Sequence, residues 1–318
     1  MPVPDDTPRL GPPALVLGKF LPPHNGHLHL FHVAGACTDN LHIVVEHIAG
    51  ESIPSARRAA WVAELVPSAT VHHLARAMPQ TPSLTPAFWD IWRDALLALL
   101  PEAPDRVFAS ESYGAPLAAA LGARFVPVDI ARAAVPISGT RVRSDPHACF
   151  DFLPPPVRAW YATRVAVVGP SQSGKSALAS FLAQSFGATL VPDCRASVLE
   201  TPGSAAVPWP VRIDDMAQLQ RAQEASLARL CAGLLVCDGD LASVQALADK
   251  REVAEPAWLA GQAAAARYAL TLWCGDRENI AHEVALCRWL SMDRTVVRLP
   301  HEGERRRAAA RDAVLRLR

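Results

Sequence analysis

Gly18-Lys19-Phe20-Leu21-Pro22-Pro23-His24-Asn25-Gly26-His27 places an ammonium and two imidazoles within a short turn, where an apolar run gives way to a helix-like one. Such groups can donate hydrogen bonds to phosphate oxygens. Gly18 lets the backbone come close to a ligand, Pro22-Pro23 ends the preceding strand, and Gly26 leaves room beside a bound group. The helix that starts here has free N–H groups and a dipole that favour negative charge. A second stretch, Gly169-Pro170-Ser171-Gln172-Ser173-Gly174-Lys175-Ser176, spells G-x-x-x-x-G-K-[ST]. Its glycines let backbone amides wrap a triphosphate, Lys175 would reach the β and γ phosphates, and Ser176 would ligate Mg²⁺.

Both stretches need a strand before them and a helix after them, and the sequence supplies both. Ala14 to Leu17 is a short apolar run, the form of a parallel strand buried on both faces, and Leu28, Leu30, Phe31, Val33 and Ala34 can cover one side of the following helix. Leu41 to Val45 reads as the second strand, Ala56 to Leu65 as a helix, and Val71 to Leu74 as a further strand. A loop follows over Ala75–Thr85, then a helix from Ala87 to Leu100 and a strand at Val107–Ala109. Val165–Val168 precedes the second glycine-rich loop and Ala177–Phe186 follows it. Leu234 to Asp238 is an apolar run ending in a carboxylate, as expected of a strand whose Asp holds the Mg²⁺ shell.

The fold class is therefore α/β, as two domains: an N-terminal Rossmann-like domain over 14–150 and a C-terminal P-loop domain over 164–318. A proline-rich linker at 151–163 joins them, and an extended or disordered N-terminus occupies 1–13. With 318 residues, each domain can bury its own core. Lys plus Arg and Asp plus Glu are equal at 31 each, so no basic field points to nucleic acid. The seven cysteines lack ligand spacing, which suggests reduced thiols in a cytoplasm. No signal peptide or spanning segment is visible. His24, His27, His29 and His32 lack the carboxylate or cysteine partners of a familiar zinc pattern. His29 and His32 read instead as helix-surface or packing residues.

The first stretch resembles the G-[KG]-F-x-P-x-H-x-G-H signature of the nucleotidylyltransferase superfamily, and Ile137-Ser138-Gly139-Thr140-Arg141-Val142-Arg143 resembles its I-S-x-T-x-[IV]-R block. Ser138 and Thr140 can also be read as a plain helix N-cap. With the P-loop added, the chain resembles the NadR-type proteins, which join a nicotinamide mononucleotide adenylyltransferase to a ribosylnicotinamide kinase. The resemblance implies catalytic roles for His24, His27, Lys19 and Arg143, and ATP contacts from Gly18, Phe20, Gly26, Ser138 and Thr140. It implies a mononucleotide site at Trp89, Trp92, Ser110, Glu111, Asp129 and Arg132; Trp92 can equally be core. In the second domain it implies ATP binding by Gly169, Gly174, Lys175 and Ser176, with Mg²⁺ at Ser176 and Asp238.

The second domain departs from the family's W-E-x-x-R-E segment, reading Val191-Pro192-Asp193-Cys194-Arg195-Ala196. Arg195 is kept, Asp193 is a substitute carboxylate, and Asp214 matches a family acid beside Asp215 in place of an aromatic. The D-D-G-x-R lid is replaced by Cys274-Gly275-Asp276-Arg277. ATP binding is expected there, while riboside kinase activity, with Asp238 and Asp240 as candidate catalytic carboxylates and Asp240 as base or merely solvent-facing, is set against a nucleotide-sensing, regulatory or structural role. A different acceptor for the first domain, such as phosphopantetheine, is a third reading. The expected partners are small molecules, namely ATP, nicotinamide mononucleotide and nicotinamide riboside, without nucleic acid or membrane; a homo-oligomer is compatible with the sequence. No helix-turn-helix precedes the first strand, so repression of transcription is not expected.

Overall fold

Ala14–Gly18 forms β1, and its residues alternate between two cores because both faces of the strand are covered. Ala14 and Val16 pack with Phe31, Ile43 and Val62, while Leu15 and Leu17 pack with Val44, Trp92, Leu96 and Leu117. In this computed structural model residues 11–275 and 295–317 are described. Most of the expected N-terminus, together with Asp276 and Arg277, lies outside them. The chain divides into two compact units, Met1–Val157 and Arg158–Arg318.

In the first unit β1 is followed by α1 (Asn25–Cys37), β2 (Leu41–His47), α2 (Ser55–Leu65), β3 (Thr70–Ala77), α3 (Phe88–Leu99), β4 (Arg106–Ala109), α4 (Gly114–Leu121), β5 (Arg124–Pro127) and α5 (Gly139–Ser144). The strands form one parallel sheet in the order β3-β2-β1-β4-β5, doubly wound about β1. The loop expected at Ala75–Thr85 begins later than the sequence indicates. Pairing of His47 with Ala77 carries β3 to Ala77, and Pro82–Leu84 makes a short 3-10 turn. Within the 151–163 segment, Pro155–Tyr161 is a short helix, α6, and the boundary between the units falls inside it.

The second unit runs β6 (Thr163–Val168), α7 (Lys175–Phe186), β7 (Thr189–Val191), α8 (Cys194–Leu199), α9 (Trp209–Leu230), β8 (Leu234–Asp238), α10 (Leu241–Lys250), α11 (Leu259–Ala265), β9 (Leu270–Trp273), β10 (Val296–Arg298) and α12 (Gly303–Leu315). Its parallel sheet has the order β10-β9-β6-β8-β7. Val165 and Val167 pack with Leu178, Leu182 and Val314. Ile213, Met216, Val244 and Leu259 form a separate core among the helices. Among the described residues no helix is long and apolar enough to cross a membrane.

Arg58, on α2, is fully buried, and its guanidinium ties two loops to the end of β2 in the first unit. Nε donates to the Ile53 carbonyl at 3.1 Å, Nη2 to the Glu46 carbonyl at 3.2 Å, and Nη1 to the Lys19 carbonyl. Burial lowers its pKa, and the carboxylates of Glu51 and Glu46 oppose that shift. A planar fork of donors suits three fixed carbonyls, and a lysine ammonium does not match that geometry. Arg58→Leu should lower the unfolding free energy by about 3 kcal/mol, because three carbonyls lose their donors. Chemical denaturation followed by circular dichroism checks this, and Arg58→Lys should recover less than half of the loss.

Candidate functional site

The carboxyl ends of β1, β2, β4 and β5 open onto one cavity of about 830 Å³ in the first unit. Every residue that the sequence assigned to this unit's ligands lines it. At its floor, α1 begins with His24 as N-cap, and His27 is the third helical residue. The two side chains cap the helix reciprocally: His27 N donates to His24 Nδ1 and His24 N to His27 Nδ1, each at 3.3 Å. Each Nδ1 therefore has no proton of its own, and each Nε2 must carry one. The rings stack with centroids 3.7 Å apart, and Phe20 stands edge-on to His27 at 5.1 Å.

Burial pushes the His24 pKa down to about 4, with the nearby Arg132 guanidinium acting in the same direction. His27 is lowered further, by burial and then by His24 and Arg132. Both imidazoles are accordingly neutral near pH 7, each with one Nε2–H to donate. Space around them is tight: a Cβ on Gly26 would stand 3.1 Å from the His24 ring, and one on Gly18 would stand 2.9 Å from the Phe20 ring.

Arg143 reaches the cavity from α5, where Nη1 donates to the Leu21 carbonyl at 2.7 Å and Nη2 to Thr140 Oγ1 at 3.2 Å. The plain N-cap reading of Ser138 is realised, since its Oγ accepts from Arg141 N at 3.2 Å. Lys19 is exposed at the rim.

The residues that the resemblance pooled as one mononucleotide site stand on two sides of β1. Ser110, Glu111, Asp129 and Arg132 follow β4 and β5, while Trp89 and Trp92 begin α3, which follows β3. Asp129 is spent on its own loop: its carboxylate accepts from the amides of Ala133, Ala134 and Val135 at 2.7–3.1 Å. Those bonds lower its pKa and leave it a scaffold role. Arg132 pairs with Glu111 at 3.1 Å. Trp92 is buried in the core and donates its indole N–H to the Pro79 carbonyl, so one side chain serves both core and cavity wall. Trp89 is half-buried.

In the second unit the glycine-rich loop leads into α7 with Gly174 at φ 79°, a conformation that favours glycine. Lys175 Nζ lies 3.0 Å from Asp193 Oδ2, and Arg195 grips the same carboxylate through Nε and Nη2 at 2.9 and 2.8 Å. Although burial opposes ionisation, the bonds and charges of Arg195, joined by Lys175, hold the Asp193 pKa down at about 2. The loop lysine is thus occupied by an internal carboxylate, and a phosphate must displace it.

Asp238 at the end of β8 has its pKa raised by burial, against a hydrogen bond from Ser176 and the Lys175 charge. Its Oδ1 is buried and accepts no hydrogen bond, with the Lys175 ammonium 4.0 Å away, and an oxygen so placed suits a hard cation shared with Ser176. Asp240 caps α10, accepting from Ser243 N and Oγ at 2.8 Å. Asp214 accepts from the Trp258 indole at 2.9 Å, which returns an aromatic beside it that the sequence does not place there.

Arg306 on α12 is a residue that sequence reasoning missed. Its Nη1 donates to the Ser173 carbonyl and its Nε to the Pro300 carbonyl at 2.8 Å. A trans peptide holds its C=O and N–H on opposite sides, so the bond to Arg306 fixes the orientation of the Gly174 N–H as well. No local signal marks Arg306, which sits in a run of three arginines.

Residues 164–314 match the family model described as an AAA domain. The chain is similar in fold to a crystal structure of a NadR protein in complex with NR, at a TM-score of 0.76, with 96% of each chain covered and 19% identity. The fold is that of NadR proteins. A NadR structure with NAD and AMP-PNP gives a TM-score of 0.73, 20% identity and the same coverage. In sequence, the chain is 29% identical over 191 residues to the trifunctional NAD biosynthesis/regulator protein NadR of Escherichia coli K12, covering 55% of this chain and 47% of that protein. The NadR of Salmonella typhimurium matches at the same identity and coverage. The chain spans about half the length of these curated relatives.

Two measurements probe the geometry. His24 folds neutral, with a pKa near 4 against an ordinary value of 6.5, so the unfolded chain binds the extra proton between those values. Stability conferred by the neutral ring is complete above pH 6.5 and drains away as pH falls towards 4. His24→Asn, which can still cap the helix, should flatten this slope in urea unfolding between pH 4 and 7. Asp193→Asn should destabilise the second unit by about 3 kcal/mol, because Arg195 loses its carboxylate and Lys175 keeps only the more distant Asp238, 4.0 Å away. ATP should then raise its melting temperature more than it does in the parent chain, since the loop lysine no longer has a competitor.

Proposed function

We propose that the first unit transfers the adenylyl group of ATP to nicotinamide mononucleotide, giving NAD and pyrophosphate. The observation that carries this reading is the pair of neutral, reciprocally capped histidines, each presenting an Nε2–H at a helix start on the cavity floor. The NadR proteins of similar fold, one crystallised with NAD and AMP-PNP, support it.

The 5′-phosphate oxygen of the mononucleotide attacks the α-phosphorus of ATP. A new P–O bond forms as the bond to pyrophosphate breaks in line, and no protein nucleophile is needed because the attacking oxygen is already anionic. The two Nε2–H groups donate to oxygens whose charge grows in the transition state. Their geometry is fixed beforehand by the helix amides, so little reorganisation is required as charge develops. Arg143, braced by Leu21 and Thr140, and Lys19 at the rim hold the triphosphate. Mg²⁺, when bound, would neutralise charge on the leaving pyrophosphate.

For the second unit we propose ATP binding at Gly169, Gly174, Lys175 and Ser176, with Mg²⁺ held by Ser176 and Asp238. Phosphorylation of nicotinamide riboside is the activity its fold supports, and the NadR structure with NR favours it. A nucleotide-sensing role is favoured by a different observation: Asp193, Asp214 and Asp240 all hold protein partners.

Purified chain supplied with ATP, Mg²⁺ and nicotinamide mononucleotide should form NAD. His27→Ala should lower kcat by about 100-fold and change KM little, because its contact strengthens only in the transition state. An unchanged kcat would remove the assignment. Nicotinamide riboside in place of the mononucleotide separates the two readings of the second unit: a phosphorylated product indicates a kinase, and its absence beside a normal NAD yield indicates a sensor.

A further inference from the structure

The Asn25–Gly26 peptide lies in the first turn of α1, between the two histidines on the cavity floor, and adenylyl transfer makes no use of its chemistry. The chain has three asparagines, and only Asn25 precedes a glycine. An asparagine so placed carries its own reaction partner. The next amide nitrogen can close a five-membered ring on the side-chain carbonyl carbon, and glycine has no Cβ to hinder the approach.

Position 26 cannot be filled to prevent this. A Cβ there would stand 3.1 Å from the His24 ring and 3.3 Å from Ile137 Cγ2, so a side chain would press on the capping imidazole. The Gly26 N–H is also unspent. It belongs to the second helical residue, with no intrahelical acceptor in reach, and no loop carbonyl or side chain accepts from it among the described residues. Among the same residues the Asn25 side chain is held by one bond, from Nδ2 to the Asp151 carbonyl at 3.2 Å. In the second unit Asp238–Gly239 could close the same kind of ring, but its amide is engaged: Gly239 N donates to the Val167 carbonyl at 2.9 Å.

We infer that Asn25 is a site of spontaneous deamidation in the empty first unit, and that a phosphate chain bound at the start of α1 protects it. The Gly26 amide gives its proton to hydroxide, and its nitrogen attacks Asn25 Cγ. A C–N bond forms, and Nδ2 takes a proton from water and leaves as ammonia, which restores the hydroxide. Water then opens the ring at either carbonyl, giving aspartate or isoaspartate at position 25. Protection follows from the same amide, because a phosphate oxygen accepting from the Gly26 N–H holds that proton in place. This protective part rests on the adenylyl-transfer reading, which puts ATP in the cavity.

Both products oppose the chemistry of the site. A carboxylate in the first helical turn suits the helix dipole but repels a triphosphate. Isoaspartate adds a methylene to the backbone between His24 and His27, whose reciprocal cap depends on their spacing. Ageing should therefore remove activity.

The test incubates the full chain and its Asn25→Gln variant in warm, mildly alkaline buffer, with and without ATP and Mg²⁺. Peptide mass spectrometry reads conversion of amide to acid at positions 25 and 40, and enzymatic methylation reads isoaspartate. The empty parent chain should gain acid at position 25 ahead of position 40, and its NAD formation should fall in step. ATP at about ten times its Kd should slow the change about tenfold, because only the empty fraction reacts. Glutamine would have to close a six-membered ring, so Asn25→Gln should keep its amide over the same period. Acid that appears no faster at position 25 than at position 40 overturns the proposal, as does a rate that ATP leaves unmoved in a chain that forms NAD when fresh. A fresh chain that forms no NAD counts against the adenylyl-transfer reading instead, and conversion at position 25 of the empty chain then decides the deamidation.

Discussion

The reciprocal cap between His24 and His27 is the interaction on which the first unit's site depends. A helix start leaves its first amides short of partners, and here the His27 imidazole accepts from the His24 amide while the His24 imidazole joins its own carbonyl in accepting from the His27 amide. The same bonds dictate which nitrogen of each ring carries its proton. Helix initiation, ring orientation and the donor offered to a phosphate therefore follow from one local arrangement. The packing that supports it is equally economical: Phe20 leans on both His27 and Phe31, and the carbonyls of Lys19 and Leu21 on the same turn are held by Arg58 and Arg143.

The two candidate sites are built by opposite electrostatic means. The floor of the first cavity relies on neutral donors, with the cations Lys19 and Arg143 around it. The second unit keeps its lysine as a cation and stores it against Asp193, with Arg195 clamping the other side of the carboxylate. Neutral donors avoid the cost of burying unpaired positive charge in the absence of ligand. A stored ion pair avoids the same cost by supplying an internal anion. Both solutions keep the empty site folded.

Much of this was legible in the sequence. The apolar run before Gly18, the histidine spacing and the G-x-x-x-x-G-K-S stretch fixed where the strands end and the helices begin, because each depends on neighbours within a few residues. The strand ending at Asp238 was equally plain. Roles that depend on distant partners were not. Asp193 reads as a substrate carboxylate until Lys175 is seen beside it, and Asp240 as a catalytic group until Ser243 is seen donating to it. Asp214 acquires its aromatic neighbour from Trp258, on the far side of β8 and α10 in the chain. Arg58 looks like an ordinary helical arginine. Only burial sets it apart, and burial of that kind is a property of the assembled layers.

The bond from Arg306 to the Ser173 carbonyl joins residues 133 positions apart. Its consequence concerns the order in which the protein is made. A ribosome delivers the glycine-rich loop, and the strand and helix that flank it, long before it delivers α12. Until α12 emerges and docks, the peptide between Ser173 and Gly174 lacks its anchor on Arg306. A nascent chain can thus bring the glycine-rich loop and its flanking strand and helix together while the loop still lacks this anchor.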